Sequence, residues 1–239
     1  MLPDPEAVFR MAAEEVRAAA RAAVERRDRF VLALSGGHTP RGLYALLAGD
    51  PAYRAAIPWD RTHVFWGDER HVPPDHPDSN YRMAREVLLD CVPLPDANVH
   101  RVFAEDGDAG RAAARYEQDL REFFRLEEAA LPQFDLVLLG LGPDGHTASL
   151  FPGARALEEM TRLVVATRPP APGADRITLT LPVLNHAACV TFLVAGADKA
   201  PVVRVVLEEN PRDALLPAQR VRPVGRLLWL LDSAAAGTR

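Results

Sequence analysis

Three loops of this chain carry the residue types that do chemistry, and each follows a short apolar run. Residues 134–153 read FDLVLLGLGPDGHTASLFPG. The apolar stretch Leu136–Leu139 breaks into a glycine-rich loop that presents Asp144, Gly145 and His146. Imidazole is the usual general base near neutral pH, and a carboxylate two residues away can orient the ring and stabilise its cation. A capping aspartate beside a satisfied polar histidine is the bland alternative. A histidine at the open end of an apolar strand has little structural purpose, so the spacing predicts a base at His146, oriented by Asp144, at the start of a short helix.

The loop after Leu32–Leu34 reads SGGHTP from Ser35 to Pro40. Gly36 and Gly37 permit close backbone approach, Thr39 suits an N-cap and Pro40 the first helical position. Free N–H groups and the dipole at a helix N-terminus bind anions, so Ser35, Gly36, Gly37 and Thr39 are candidate phosphate contacts. Taken alone, the Gly-Gly pair also fits an ordinary tight turn; it is neither a P-loop nor a GxGxxG fingerprint. His38 reads as a solvated loop residue.

The third loop, WGDER from Trp66 to Arg70, puts Arg70 where its fork can hold a phosphate and Asp68 where it can act as base or orienter. In isolation it would read as a salt-bridged turn. His71, Asp75, His76 and Asp78 follow, but their spacing matches no zinc pattern and no metal is expected. Two further cations end or begin strands: Arg176, and Lys199, the only lysine against 27 arginines among the 28 basic residues. A compact ammonium is not interchangeable with a planar guanidinium, which makes Lys199 a candidate phosphate contact.

The elements that must position these loops alternate. Helices are expected at Pro5–Arg27, Thr39–Gly49, Ser79–Leu89, Arg111–Ala130 and Ala197–Leu207. Strands are expected at Phe30–Leu34, Thr62–Trp66, Val99–Val102, Leu136–Leu139, Leu163–Thr167, Ile177–Leu181, Cys189–Ala195 and Arg226–Leu231, with Gly67–Arg70 a charged loop and Pro182–Ala187 a helical turn. Apolar strands between helices mean an α/β fold: a mostly parallel, doubly wound sheet flanked by helices on both faces, with room for a small additional lobe. The 239 residues are read as one domain, 1–239, with a frayed tail at 233–239.

Composition excludes several functions. A net charge of −5 disfavours a nucleic-acid partner, so a phosphorylated ligand needs a local basic pocket on an acidic protein. No apolar run approaches the ~20 residues that span a bilayer, and the N-terminus shows no signal peptide. Cys91 and Cys189 read as two reduced thiols, and a cytoplasmic location is expected.

Taken together the motifs resemble the 6-phosphogluconolactonase family, within the wider glucosamine-6-phosphate isomerase/6-phosphogluconolactonase group. They are SGGHTP (Ser35–Pro40), WGDER (Trp66–Arg70) running on to His76, DSNY (Asp78–Tyr81), GLGPDGHTASLFP (Gly140–Pro152), RITLTLP (Arg176–Pro182) and GADK (Gly196–Lys199). His38 departs from the pattern, which more often has serine or arginine there. The resemblance implies hydrolysis of 6-phospho-D-glucono-1,5-lactone to 6-phospho-D-gluconate in the oxidative pentose phosphate pathway. It implies a fold related to glucosamine-6-phosphate deaminase and no metal or organic cofactor, and it places the base on His146. The site then comprises His146 and Asp144, with Ser35, Gly36, Gly37, Thr39, Asp68, Arg70, Gly145, Arg176 and Lys199 on the substrate. Backbone N–H groups of Gly142–Thr147 are candidate donors to an oxyanion. A sugar-phosphate isomerase or deaminase is the alternative; it needs a ring-opening glutamate, and Phe151 stands where that residue would align. The partner is a small sugar-phosphate lactone, with no nucleic acid or membrane, and the chain is expected as a monomer or weak homodimer.

Overall fold

The computed structural model describes residues 1–207 and 215–238. Five strands form a wholly parallel sheet: β1 (Phe30–Leu34), β2 (Thr62–Trp66), β4 (Leu136–Leu139), β7 (Cys189–Val194) and β8 (Arg226–Leu231), in the order β2-β1-β4-β7-β8. Every residue of β1, β4 and β7 is buried, which is why these strands read as unbroken apolar runs rather than alternating ones. The helix α1 (Pro5–Arg27) lies across β1, β7 and β8. Its stripe Val8, Ala12, Ala13, Val16, Ala20 and Ala23 is buried, Asp4 caps it by accepting from Ala7 N–H at 2.7 Å, and Asp28 in the left-handed region (φ 56°) ends it. On the opposite face α5 (Ala109–Phe124) packs Phe123 against Phe65 at 5.0 Å, and Phe124 against Phe134 at 5.3 Å.

The small lobe is a separate three-stranded antiparallel sheet, β3 (Asp68–Arg70), β6 (Arg176–Leu179) and β5 (Val164–Thr167), in the order β3-β6-β5. Gly67–Arg70 is therefore not a loop. Gly67 N–H still bonds Leu34 O while its own carbonyl accepts from Leu179 N–H, so the chain passes from one sheet straight into the other.

Two buried tyrosines finish the strand ends where ladder partners run out. The Tyr44 hydroxyl, on α2 (His38–Gly49), accepts from Ser35 N–H at 2.9 Å and donates to Ser35 O at 2.8 Å. Tyr116 does the same for Trp66, at 2.8 and 3.1 Å. Buried backbone groups must be paired, and these hydroxyls pair them at the mouths of the first two loops.

Other expectations shift. Val99–Val102 is no strand: Val99 makes one bridge to Val64, and the His100 ring then folds back to stack on Phe65 at 4.2 Å. The helix expected at 111–130 starts earlier because Asp108 caps it through Arg111 N–H, and Arg125 at φ 52° ends it. The helix from Ser79 stops at Val87 (α4, Asn80–Val87), and that from Ala197 splits into a 3-10 turn, Ala197–Lys199, and α7 (Ala200–Val206). The tail expected to fray is anchored: Ser233 Oγ donates to Pro3 O at 2.8 Å and Ala235 is fully buried, while Arg239 lies outside the described residues.

His100 and His63 face each other with Nε2 and Nδ1 3.1 Å apart, beside Phe123 and Arg29. Burial, with His63 adding to it, pushes the His100 pKa down from 6.5 to about 4. The unfolded chain therefore binds a proton more readily across that window, and the stability carried by the neutral pair is complete above about pH 6.5 and lost as pH falls toward 4. Replacing His100 with Phe keeps a ring on Phe65 and removes the titration. Between pH 7 and 4.5 its unfolding free energy in urea should fall about 1–3 kcal/mol less than that of wild type; equal falls would remove the pair from this role.

Candidate active site

The sheet order reverses at β1: β2 follows it on one side, β4 lies on the other. Ligands of open α/β sheets bind at such a switch point, beyond the carboxyl ends of the strands. Here the loops after β1, β4 and β7, together with β3 and β6 of the small sheet, surround a cleft of about 710 Å³. Ser35, Gly36, Gly37 and Thr39 line it from the first loop, Asp144 and His146 from the second, and Lys199 from beyond β7. Asp68, Arg70 and Arg176 close it from the small sheet.

The Asp144–His146 pair is formed. Asp144 Oδ1 accepts from His146 N–H at 3.1 Å and stands 2.5 Å from Nδ1 of the ring. Burial pushes the Asp144 carboxyl up, but the hydrogen bonds from the ring and backbone of His146 outweigh it and hold its pKa below the usual carboxylate value. A carboxylate on Nδ1 assigns the ring proton there and leaves Nε2 to take another. No helix begins at this loop. Instead Gly145 turns at φ 80°, Ala148 at φ 47°, and Thr147 Oγ1 donates back to Gly140 O at 2.8 Å. The ring lies over the site of Gly142, where a Cβ would stand 2.0 Å from Nδ1. Its other side meets Phe151, with ring centroids 4.8 Å apart.

The loop's backbone donors are fewer than expected. Gly142 N–H donates to His146 O, Gly145 N–H to Gly142 O, and His146 N–H to Asp144. Gly145 therefore shapes the loop rather than offering a free donor. Among the described residues the loop N–H groups with no protein acceptor include that of Ala148, whereas Thr147 N–H faces Leu150 O in an antiparallel bridge.

The other side of the cleft gathers a helix N-terminus and two arginines. α2 begins at His38 with Gly37 (φ 104°) as N-cap and no side-chain cap, so its first N–H groups face the cleft. Thr39, expected as the cap, lies inside the first turn because the glycine takes the cap position. Arg70 and Arg176 are cross-strand partners on β3 and β6. Like charges directly opposite one another are unfavourable in a sheet. Their guanidiniums reach only carbonyls, Asp78 O at 2.6 Å and Ala174 O at 2.7 Å, with no carboxylate within ion-pair distance among the described residues. Burial and then the neighbouring Arg70 push the Arg176 pKa down. A dianion between them would relieve both.

Asp68 does not touch Arg70. Its carboxylate accepts from Ser149 Oγ at 2.6 Å and from Asn80 Nδ2 at 3.4 Å. Two supports carried no signal that sequence reasoning could isolate. Glu69 is buried and accepts from Ser79 Oγ and from the N–H groups of Arg70, Asn80 and Tyr81, pinning β3 to the start of α4. Burial raises its pKa to about 6 against those bonds. Asn80 fills the space behind Gly36, where a Cβ would meet its Oδ1 at 1.9 Å.

The family model for glucosamine-6-phosphate isomerases/6-phosphogluconolactonase matches residues 3–229. The chain is 44% identical to a 6-phosphogluconolactonase of Nostoc sp. over 235 residues, 98% of this chain and 95% of the relative. The solved 6-phosphogluconolactonase of Trypanosoma brucei superposes with a TM-score of 0.88 at 32% identity, over 99% of this chain and 96% of that one. A monomeric glucosamine-6-phosphate deaminase shares the fold, with a TM-score of 0.80 at 20% identity over 99% of this chain and 98% of its own.

Placing a methyl at Gly142 should evict the His146 ring. In Gly142→Ala the ¹⁵N imidazole signals of His146 should lose the pattern of a ring held through Nδ1–H, with the melting temperature within a few degrees of wild type. An unchanged His146 spectrum would show that the ring does not depend on this glycine.

Proposed function

Because this chain belongs to the glucosamine-6-phosphate isomerase/6-phosphogluconolactonase family, and its cleft holds an Asp–His pair together with two arginines that make no ion pair among the described residues, we propose that it hydrolyses 6-phospho-D-glucono-1,5-lactone to 6-phospho-D-gluconate. The observation that carries the reading is the Asp144–His146 pair standing in the same cleft as Arg70 and Arg176.

The 6-phosphate sits at the N-terminus of α2, against Ser35, Gly36, Gly37 and Thr39, with Arg70, Arg176 and Lys199 around it. His146 Nε2 takes a proton from water as the water oxygen bonds to C1. Asp144 stabilises the imidazolium through Nδ1. General-base help of this kind contributes typically ~10²–10⁴ in rate. The C1 oxyanion is met by the unpartnered Ala148 N–H, a contribution on the order of 10²–10³. The C1–O5 bond then breaks, and O5 takes the proton from Nε2, which returns the ring to its starting state. Energy from the remote phosphate serves orientation at C1.

An isomerase or deaminase would have to open a sugar ring and move a proton between carbons. Phe151 fills the place next to His146 with an apolar ring, and lactone hydrolysis needs no acid there. Among the described residues no helix is long and apolar enough to cross a membrane. Our reading is a cytoplasmic enzyme of a small sugar phosphate, as a monomer or weak homodimer, without nucleic-acid partners.

Wild type should hydrolyse freshly generated lactone far above its spontaneous rate, and His146→Ala should fall by ~10²-fold or more toward background. Turnover that survives the substitution would take His146 out of the role. Arg70→Ala should lower kcat/KM for the phosphorylated lactone by about 10- to 100-fold and leave an unphosphorylated lactone almost unaffected. Equal losses on both would end the phosphate assignment.

A further inference from the structure

The base and the phosphate anchor belong to different sheets. His146 leaves β4 of the parallel sheet, whereas Arg70 and Arg176 belong to the antiparallel one. Ser149, three residues after the base, ties the two together. Its hydroxyl donates to Asp68 Oδ2 at 2.6 Å and its N–H donates to Thr178 Oγ1 at 3.2 Å. Asp68 and Thr178 are themselves opposite one another in the β3–β6 pair. Side chains alternate along a strand, so this rung shares a face with the Arg70–Arg176 rung two residues on. The serine thus grips the face that carries the anchor.

Two further observations show that the grip is built. Ser149, Asp68 and Thr178 are all buried, where a short bond to a carboxylate is strong and its loss leaves an uncompensated group. Ala148, between base and serine, stands at φ 47°, a conformation that an L side chain adopts only when its surroundings impose it. Thr147 is fixed on one side by Gly140 O and Ser149 on the other by the small sheet, so the turn between them has no freedom to relax.

We propose that Ser149, through its bond to Asp68, is a positioning residue that sets His146, and the N–H of Ala148, at a fixed place relative to the phosphate anchor. The proposal rests on the lactone-hydrolysis reading for its kinetic consequence. Without the bond, phosphate still binds, but C1 and the base no longer meet in register. A misplacement of about 1 Å can cost on the order of 10²-fold in rate.

The test is steady-state kinetics of wild type, Ser149→Ala, Asp68→Asn and the double variant on the phosphorylated lactone, together with ¹⁵N imidazole spectra of His146. Ser149→Ala should lower kcat by about 10- to 100-fold with KM within about twofold of wild type. Because one bond is shared, the double variant should lose no more than the worse single variant. Asp68→Asn keeps a weaker, uncharged acceptor, so its kcat should fall in the same direction by less than that of Ser149→Ala, and that fall reads the tether if Ser149→Ala folds poorly. A kcat equal to wild type, additive losses, or a rise in KM matching the fall in kcat/KM would each overturn the proposal. Should wild type hydrolyse no lactone, the functional reading falls, and the spectra decide alone. His146 signals broadened or shifted in Ser149→Ala would uphold the tether, and signals identical to wild type would end it.

Discussion

Strands that all run one way cannot be joined by tight turns at their ends. Each must leave the sheet at its carboxyl edge and return by a crossover, so five parallel strands put all their exits on one side. Where the strand order reverses, the exits from β1 and β4 diverge and leave a crevice that no helix fills. The rest of the molecule follows from that geometry. The glycines after β1 bring the N-terminus of α2 to the crevice, the loop after β4 hangs the imidazole over it, and the chain leaving β2 crosses into a second sheet that forms its far wall.

That wall holds an arrangement that folding alone would not select. Two arginines face each other on neighbouring strands with no carboxylate within ion-pair distance among the described residues, and Ala148, two residues after His146, stands in the left-handed region. Both are tolerated because their surroundings are over-determined. Glu69, on the opposite face of β3 from Arg70, satisfies four donors and locks the strand onto α4. Asp68 and Thr178 hold the loop that carries Ala148. Strain and like charge sit at the cleft, and buried hydrogen bonds offset them nearby.

Much of this was legible in the residues. The buried parallel strands announce themselves as apolar runs, and DGH and SGGHTP stand at strand ends in the chain itself. What escaped reading depends on contacts between distant segments. Three residues after a single glycine give no sign that Asp68–Arg70 pairs with Arg176 across more than a hundred positions, so a strand read as a charged loop. Gly37 rather than Thr39 takes the cap of α2 because the chain must turn with a positive φ there. Val99 promised a strand on composition, but stacking of His100 on Phe65 draws the chain off the sheet edge after one bridge. Asp68 invited a role on substrate or on Arg70, and only the fold reveals the serine it holds.

On the proposed reading, anchor and base lie on two different sheets, which bears on how binding becomes rate. Contacts to a phosphate lower the barrier at a distant carbonyl only if the frame between them does not yield. A single sheet would supply that stiffness through its own ladder. Here the joint is made by Gly67, hydrogen-bonded to both sheets, and by Ser149, reaching from one loop to a rung of the other sheet. A net charge of −5 adds nothing to holding an anion, so the local cations and the rigidity of this joint have to do it together. The glycine-rich loops of the cleft are therefore stiff parts: their glycines admit a ring at Gly142 and an amide at Gly36 that any side chain would displace. Close packing of backbone against imidazole and amide holds the His146 ring and the Asn80 amide in fixed places beside the two arginines of the small sheet.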